Sequence, residues 1–228
     1  MSGVIKAENL HKVYSETKIP VKALNGVNLE IMEGEFTAIV GPSGCGKTTL
    51  LNIIGGLDHP TMGNVLVANE DIANMKDGEL IDFRLKNIGF VFQAYNLIPV
   101  LTTLENVEFI MLLQKQDKTQ REKRSMELLE EMGIADKANM RPSELSGGQQ
   151  QRVAVARALA SKPKFILADE PTANLDSKST ENLLDIMAKM NKEENATFVF
   201  STHDQRVIEK AKRIVTLEDG VIISDVKK

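Results

Sequence analysis

The glycine-rich segment from residue 41 to residue 49 offers the clearest chemistry in this chain. It fits the pattern G-x-x-x-x-G-K-[ST] and reads Gly41-Pro42-Ser43-Gly44-Cys45-Gly46-Lys47-Thr48-Thr49. In such a loop the backbone N–H groups turn inward around a polyphosphate, while Lys47 reaches the terminal phosphates and Thr48 offers its hydroxyl to Mg²⁺. The apolar run Phe36–Val40 predicts a strand before the loop, and Thr49–Ile54 predicts a helix after it. This context favours an ATP or GTP site over an ordinary glycine turn.

Two carboxylates, Asp169 and Glu170, end the apolar run Phe165–Asp169. A strand here would place them at the carboxyl edge of the sheet, where ligands of such sheets bind. Asp169 would hold Mg²⁺ through a water, and Glu170 would orient and deprotonate the water that attacks the nucleotide. The alternative is that both acids cap a strand before Pro171, but the phosphate loop favours the hydrolytic pair.

A second glycine motif, Leu145–Gln149, lies far from the first. Ser146 and Gln149 have the spacing of a capping box, and a helix is predicted to continue to Ala160. Capping alone does not require Gly147-Gly148, which cost helix entropy but leave N–H groups accessible at a positive helix end. An anion site without its own lysine or metal ligand must share a nucleotide bound elsewhere.

The remaining pattern predicts an α/β fold with a P-loop core and a mostly parallel sheet. An antiparallel β lobe is expected beside it, and a small helical subdomain at about 94–145 is expected within a single domain, 1–228. The β lobe would contain Val4–Asn9, Val21–Met32 and Gly63–Ala68. The core strands would be Phe36–Val40, Ile88–Phe92, Phe165–Asp169, Thr197–Ser201 and Arg213–Leu217, and the subdomain helices Leu104–Leu113 and Thr119–Met132.

Composition limits the function. The 228 residues are 42% hydrophobic with a net charge of −4, which argues against broad nucleic-acid binding. One cysteine excludes an internal disulfide, and the first residues lack the features of a signal peptide. No apolar stretch is long enough to span a bilayer. We therefore expect a cytoplasmic protein that works at a membrane only if another chain holds it there.

The phosphate loop, Leu145–Gln149 and Asp169-Glu170, in this order, resemble the ATP-binding cassette (ABC) ATPases, in which the second motif is the family signature. The resemblance covers nearly the whole chain. It implies ATP and Mg²⁺ as cofactors and a homodimer formed head to tail on ATP binding, in which each signature closes on the ATP of the other chain. It also implies an integral membrane permease as partner, a position on the cytoplasmic face of the membrane, and no nucleic acid.

Four further positions match the family pattern residue by residue. Tyr14 looks like the aromatic that stacks on adenine, and Gln93 like the glutamine that contacts Mg²⁺ and senses the γ-phosphate. Asn174–Asp176 resembles the loop that crosses the dimer interface, and His203 the histidine that contacts the γ-phosphate. Each has an ordinary alternative when taken alone: a surface aromatic for Tyr14, a polar strand end for Gln93, a helix cap for Asp176 and a strand-end histidine for His203.

The resemblance thus implies a complete set of site residues. The catalytic residues would be Glu170, His203, Gln93 and Lys47, and the metal ligands Thr48, Gln93 and Asp169. The nucleotide contacts would be Tyr14, Gly41, Pro42, Ser43, Gly44, Cys45, Gly46, Lys47, Thr48, Thr49, Gln93, Ser146, Gly147, Gly148, Gln149, Asp176 and His203.

A finer resemblance, through Phe90–Pro99 and Thr102–Val107, is to the lipoprotein-release, macrolide-export and antimicrobial-peptide transporters. It suggests that Tyr95, Leu97 and Ile98 line a docking groove for the membrane partner, although core packing is an alternative. A soluble cassette acting on DNA or ribosomes is the rival function, but the chain lacks an inserted coiled coil and a second signature. The signature also argues against a P-loop kinase.

Cys45 occupies a variable position of the phosphate loop. The surrounding N–H groups, Lys47 and the helix N-terminus favour a reactive thiolate that faces the phosphates. The alternative is a small residue that simply fits the turn, with low reactivity because it is buried.

Overall fold

The computed structural model describes residues 3–15 and 19–228, and two β-sheets organise this part of the chain. The strands are β1 (Gly3–Tyr14), β2 (Val21–Met32), β3 (Phe36–Val40), β4 (Met62–Val67), β5 (Glu70–Asp71), β6 (Ile88–Val91), β7 (Phe165–Asp169), β8 (Phe198–Ser201), β9 (Arg213–Glu218) and β10 (Val221–Lys227). The α-helices are α1 (Lys47–Ile54), α2 (Asp77–Asn87), α3 (Thr103–Leu113), α4 (Lys118–Glu131), α5 (Gly147–Ala160), α6 (Ser177–Glu193) and α7 (Gln205–Lys210).

The larger sheet carries the phosphate loop and has the strand order β10-β9-β3-β8-β7-β6. Strands β9, β3, β8, β7 and β6 are parallel, and only β10 at the edge is antiparallel. Helices cover both faces, so the strands are apolar along their whole length. In β7, for example, Ile166 and Ala168 face one core cluster while Phe165 and Leu167 face the other. The predicted parallel core sheet is confirmed, with strand ends that differ by one residue.

The smaller sheet is antiparallel, with the order β2-β1-β4-β5. Its inner face packs on α1, whose Leu50, Ile53 and Ile54 are buried in the same cluster as Leu167 of the larger sheet. Helix α1 therefore lies between the two sheets. The first strand runs to Tyr14, so that the aromatic predicted to follow the strand is its last residue.

Helices α3 and α4 lie between β6 and α5 and pack on α5 through the other core cluster. Their ends follow from local sequence. Thr102 and Glu105 form a capping box at the start of α3, and Asp117 accepts hydrogen bonds at the start of α4. Gly133, at φ 66°, follows the end of α4, where the left-handed backbone favours glycine.

Strand β10 is absent from the sequence-based prediction because almost all of its residues are exposed, so that it has no apolar alternation. It pairs antiparallel with β9, and an ion pair adds to this backbone pairing. The guanidinium of Arg213 in β9 donates to both carboxylate oxygens of Asp225, at 2.8 and 2.6 Å, and to Glu35 at 2.7 Å. Among the described residues, no helix is both long and apolar enough to cross a bilayer.

Candidate nucleotide site

The phosphate loop joins the carboxyl end of β3 to the first residue of α1. Its backbone requires glycine: the φ angles are 151° at Gly41, 78° at Gly44 and 106° at Gly46. Packing adds a second constraint, because a Cβ at Gly41 would overlap the carbonyl oxygen of Leu217, and one at Gly46 would overlap that of Ala23. The loop is thus fitted between the two sheets.

Lys47 has a buried side chain whose ammonium stays inside the loop. Its Nζ donates to the carbonyl oxygens of Gly41 at 2.8 Å and Pro42 at 2.9 Å, and the residue also lines the cleft above the loop. This cleft has a volume of about 780 Å³. A phosphate entering it would meet the lysine and the N–H groups at the start of α1.

Thr48, which lines the cleft, contacts Asp169, although 121 positions separate them in the chain. The hydroxyl of Thr48 lies 3.1 and 3.3 Å from the two carboxylate oxygens of Asp169. The described residues contain no cluster of three His, Cys, Asp or Glu side chains able to hold a metal. A metal site here would therefore depend on mixed oxygen donors, which Mg²⁺ accepts together with waters and substrate phosphates.

Glu170 follows β7 in a left-handed conformation, with φ 46°, and its N–H donates to the carbonyl of Ser201 at 2.8 Å. One carboxylate oxygen contacts Nδ1 of His203 at 2.8 Å, and the other accepts from the Thr202 hydroxyl at 3.3 Å. The side chain of Glu170 is 17% exposed, whereas that of His203 is 75% exposed. The strained backbone turns a carboxylate into the cleft and two neighbours orient it.

Gln93 and Tyr14 also belong to the cleft. Both line it, together with the phosphate loop, Glu170 and His203. The carbonyl of Gln93 accepts from the amide of Asn174 at 3.0 Å, which ties the glutamine segment to the Asn174–Asp176 loop. Twelve of the residues that the family pattern implied thus meet in one cavity: Tyr14, Gly41, Pro42, Ser43, Gly44, Gly46, Lys47, Thr48, Thr49, Gln93, Glu170 and His203.

The signature lies outside this cavity. Ser146 caps α5: its Oγ accepts from the N–H of Gln149 at 3.4 Å, and its own N–H donates to Oε1 of Gln149 at 2.8 Å. A Cβ at Gly147 would come within 2.9 Å of the Tyr95 hydroxyl, and a Cβ at Gly148 within 2.9 Å of the Ser179 hydroxyl. A larger residue at either position would require the Tyr95 or Ser179 side chain to shift, a packing constraint that sequence spacing did not reveal.

Asp176 also lies outside the cavity. It caps α6 by accepting from the N–H of Ser179 at 2.9 Å and from its hydroxyl at 2.7 Å. Hydrogen bonds from the same serine lower the pKa of the Asp176 carboxyl. Within one chain, Asp176 therefore has the geometry of a helix cap. Its partner Ser179 also packs beside Gly148 of the signature.

Cys45 is only 4% exposed and belongs to the core cluster beneath the loop. Its Sγ lies 3.8 Å from Nζ of Lys47, and its side chain is not among those that line the cleft. The geometry favours the small, buried residue over the reactive thiolate facing the phosphates.

The structure also adds Asp58, which sequence reasoning missed. This aspartate follows α1 and accepts a hydrogen bond from the hydroxyl of Tyr14 at 2.8 Å. Periodicity gave no signal for it, because it lies in a short irregular segment between α1 and β4.

Taken together, a parallel sheet with a phosphate loop, an adjacent carboxylate pair and a separate serine-capped helix that begins with two glycines defines an ATPase of the cassette type. The family model described as "ABC transporter" matches residues 24–173. The chain belongs to this family and is an ATP-binding and ATP-hydrolysing protein of ABC systems.

Three relatives illustrate the match. An uncharacterized ABC transporter ATP-binding protein of Methanocaldococcus jannaschii is 48% identical over 96% of this chain and 95% of its own length. Its dimeric structure, described as a post-hydrolysis state bound to ADP and Pi, superposes with a TM-score of 0.90 at 46% identity, covering 98% of both chains.

The other two relatives carry functional names. The lipoprotein-releasing system ATP-binding protein LolD of Xanthomonas campestris is 42% identical over 96% of this chain and 92% of its own length. The macrolide export ATP-binding/permease protein MacB of Brucella melitensis is 43% identical over 99% of this chain, which corresponds to 35% of that longer protein.

Proposed function

We propose that this chain is the ATPase subunit of a transporter. It dimerises head to tail around two Mg·ATP on the cytoplasmic face of the membrane and drives a separate membrane-spanning partner of the lipoprotein-release, macrolide-export or peptide-export type. One observation carries the proposal: the signature at the start of α5 is displaced from the cleft of its own chain. A phosphate site with no metal ligand becomes useful when it closes on a nucleotide held by a second copy. The solved dimer of the M. jannaschii relative supports this arrangement.

The residues of the cleft suit ATP hydrolysis. Lys47 and the N–H groups of the loop would bind the β- and γ-phosphates, and the Thr48 hydroxyl, the Gln93 amide and the Asp169 carboxylate fit Mg²⁺, which when bound neutralises phosphate charge. Glu170 would take the proton of the attacking water as its oxygen bonds to the γ-phosphorus and the bond to the ADP oxygen breaks. His203 holds this carboxylate and would contact the γ-phosphate.

Cross-linking tests the head-to-tail geometry. Two variants in a Cys45→Ser background would carry one cysteine each, at Ser43 in the phosphate loop or at Gln149 in the signature, with different affinity tags. A short bifunctional maleimide should join the two different chains when ATP is present. Predominant 43–43 or 149–149 products, or cross-linking that does not depend on ATP, would contradict the arrangement.

We also propose where the membrane partner docks. A second cavity of about 340 Å³ lies between the edge strand β6 and helix α3, with Phe90, Phe92, Ile98, Phe109 and Ile110 in its wall. Arg157 lies in the same wall and donates to the carbonyl oxygens of residues 95 and 96, and burial lowers its pKa. An apolar segment that carries an acidic side chain would complement this surface.

The predicted docking residues are only partly in place. Ile98 lines the groove, but Leu97 packs on the core and Tyr95 lies against the signature glycine Gly147. Leu97 is needed to fill the space next to the core cluster, and the left-handed backbone at Tyr95, with φ 51°, turns its ring toward α5. The groove is instead built by Phe90 of β6, by Phe92 just after this strand, and by Phe109 and Ile110 of α3.

The docking proposal is tested with solubilised native membranes. Ile110→Glu should abolish co-purification of the membrane protein with the tagged chain, while ATP binding persists. Leu113→Glu, at an exposed position of the same helix outside the groove, is the matched control. Retention of the partner by the Ile110 variant would contradict the assignment.

Because the three relatives named above are transporter components by name, they favour transport over a role on DNA or ribosomes.

A further inference from the structure

A polar cluster at the end of β1 holds the aromatic side chain of the cleft. The hydroxyl of Tyr14 donates to Oδ2 of Asp58 at 2.8 Å, and the ammonium of Lys12 donates to Oδ1 at 2.6 Å. Lys12 also donates to the carbonyl of His59 at 2.8 Å and lies over the Tyr14 ring, 4.8 Å from its centroid. The ion pair thus fixes the ring as well as its hydroxyl.

Asp58 is firmly joined to the helix that starts at the phosphate loop. After α1 ends at Ile54, the N–H groups of Leu57 and Asp58 both donate to the carbonyl of Asn52, at 2.7 and 3.2 Å. The carboxylate is mostly buried, with 27% of the side chain exposed. Burial raises its pKa, but hydrogen bonds from Lys12, Tyr14 and the His59 backbone outweigh this and keep the pKa below its usual value.

We propose that Asp58 is a positioning residue for adenine recognition. It fixes the ring of Tyr14 relative to the phosphate loop, so that the base and the polyphosphate of one nucleotide meet their partners together. The inference rests on the proposed stacking role of Tyr14. Its physical basis is preorganisation: a ring already held in its binding orientation loses less freedom when the nucleotide binds.

A purely structural role is the competing explanation. In that account the Lys12–Asp58 pair simply fastens β1 to the segment after α1, and the tyrosine hydroxyl is incidental. Tyr14→Phe separates the two accounts, because it removes only the hydroxyl and leaves the ring and the ion pair in place. Asp58→Ala removes both contacts, whereas Asp58→Asn keeps an acceptor for the hydroxyl.

The experiment measures ATPase kinetics for these variants and inhibition by inorganic tripolyphosphate, which has no base. Tyr14→Phe and Asp58→Ala should each raise the KM for ATP about three- to tenfold, as expected when one side chain must be ordered on binding, with kcat within about twofold. The double variant should be no worse than Asp58→Ala alone, and Asp58→Asn should restore part of the affinity. Inhibition by tripolyphosphate should not change.

Asp71→Ala is the control, since this carboxylate at the end of β5 in the same sheet accepts hydrogen bonds from the Ala73 N–H and the Asn74 side chain and does not line the cleft. If Tyr14→Ala leaves the KM unchanged, the stacking role itself is wrong and the inference falls with it. If Tyr14→Ala raises the KM but Tyr14→Phe and Asp58→Ala do not, only the positioning role of Asp58 is overturned. A parallel loss of tripolyphosphate inhibition in Asp58→Ala would assign Asp58 to the phosphate loop instead.

Discussion

Replacing Glu170 by glutamine is the most direct test of the hydrolytic site. The change removes one negative charge and the proton acceptor but keeps the shape. In the structure the two carboxylate oxygens meet His203 and Thr202, at 2.8 and 3.3 Å. A carboxamide can form hydrogen bonds with both of these side chains, because the imidazole can change tautomer and the hydroxyl can donate or accept. We therefore expect the free energy of unfolding to change by about 1 kcal/mol or less.

The effect on turnover should be much larger. Loss of a general base costs about 10²- to 10⁴-fold in rate, or roughly 2.7 to 5.4 kcal/mol on the barrier at 1.36 kcal/mol per tenfold. The left-handed backbone at residue 170 should not contribute to the difference in turnover between the wild type and the variant, because glutamine and glutamate carry the same Cβ. ATP affinity should persist, since Lys47 and the phosphate loop are unchanged.

The assay combines phosphate release at saturating Mg·ATP, ATP binding and light scattering. The Glu170→Gln chain should bind ATP, release little phosphate and accumulate as a dimer. Glu218→Gln, which removes the same charge from an exposed strand end, is the control and should hydrolyse normally. Release at the wild-type rate would refute the role of Glu170, and a parallel loss of ATP affinity would mean that the residue binds nucleotide and does not act as the base.

Three further outcomes are expected. Ser146→Arg should block ATP-dependent dimerisation in light scattering without changing the ATP affinity of the monomer, and a surviving dimer would contradict the shared site. Maleimide should react slowly with Cys45 in the native protein and rapidly in urea, because the thiol is buried. Rapid labelling of the native protein that Mg·ATP prevents would instead support a reactive thiolate that faces the phosphates. Hydrogen bonds from Arg206, and then from Thr172, lower the pKa of Asp204 to about 2 despite partial burial. Its stabilising contribution should be complete above the usual aspartate pKa of about 3.9 and should vanish as the pH falls to about 2. Urea titrations of wild type and Asp204→Ala should therefore differ less at acid pH than at neutral pH, and a constant difference would refute the assignment.

Local sequence was enough to predict the elements that position the nucleotide. The apolar run Phe36–Val40 and the glycines after it forced a strand and a loop, and Ser146 marked the start of a helix by its own side chain. Such signals are local, because each of these residue types favours a particular conformation of the backbone at its own position. The parallel sheet followed from strands buried on both faces, as the two clusters around β7 illustrate.

Contacts between distant segments could not be predicted in this way. Asp58 reaches Tyr14 only because α1 returns toward the end of β1, and the groove wall depends on how α3 packs beside β6. Strand β10 has no apolar alternation, and it is joined to the sheet by backbone pairing with β9 and by the contact of Asp225 with the Arg213 guanidinium. In each case the information lies in the pairing of two segments, which no single stretch of sequence contains.

The fit of the phosphate loop between the two sheets has a consequence for how the protein unfolds. Gly41 touches the carbonyl of Leu217 in the larger sheet, and Gly46 touches that of Ala23 in the smaller one, so the loop fastens the sheets together. Neither sheet can separate without dismantling the loop. Denaturation of the β lobe and loss of nucleotide binding should therefore coincide in one cooperative transition. ATP at a hundred times its dissociation constant would then protect the whole structure by about 2.7 kcal/mol.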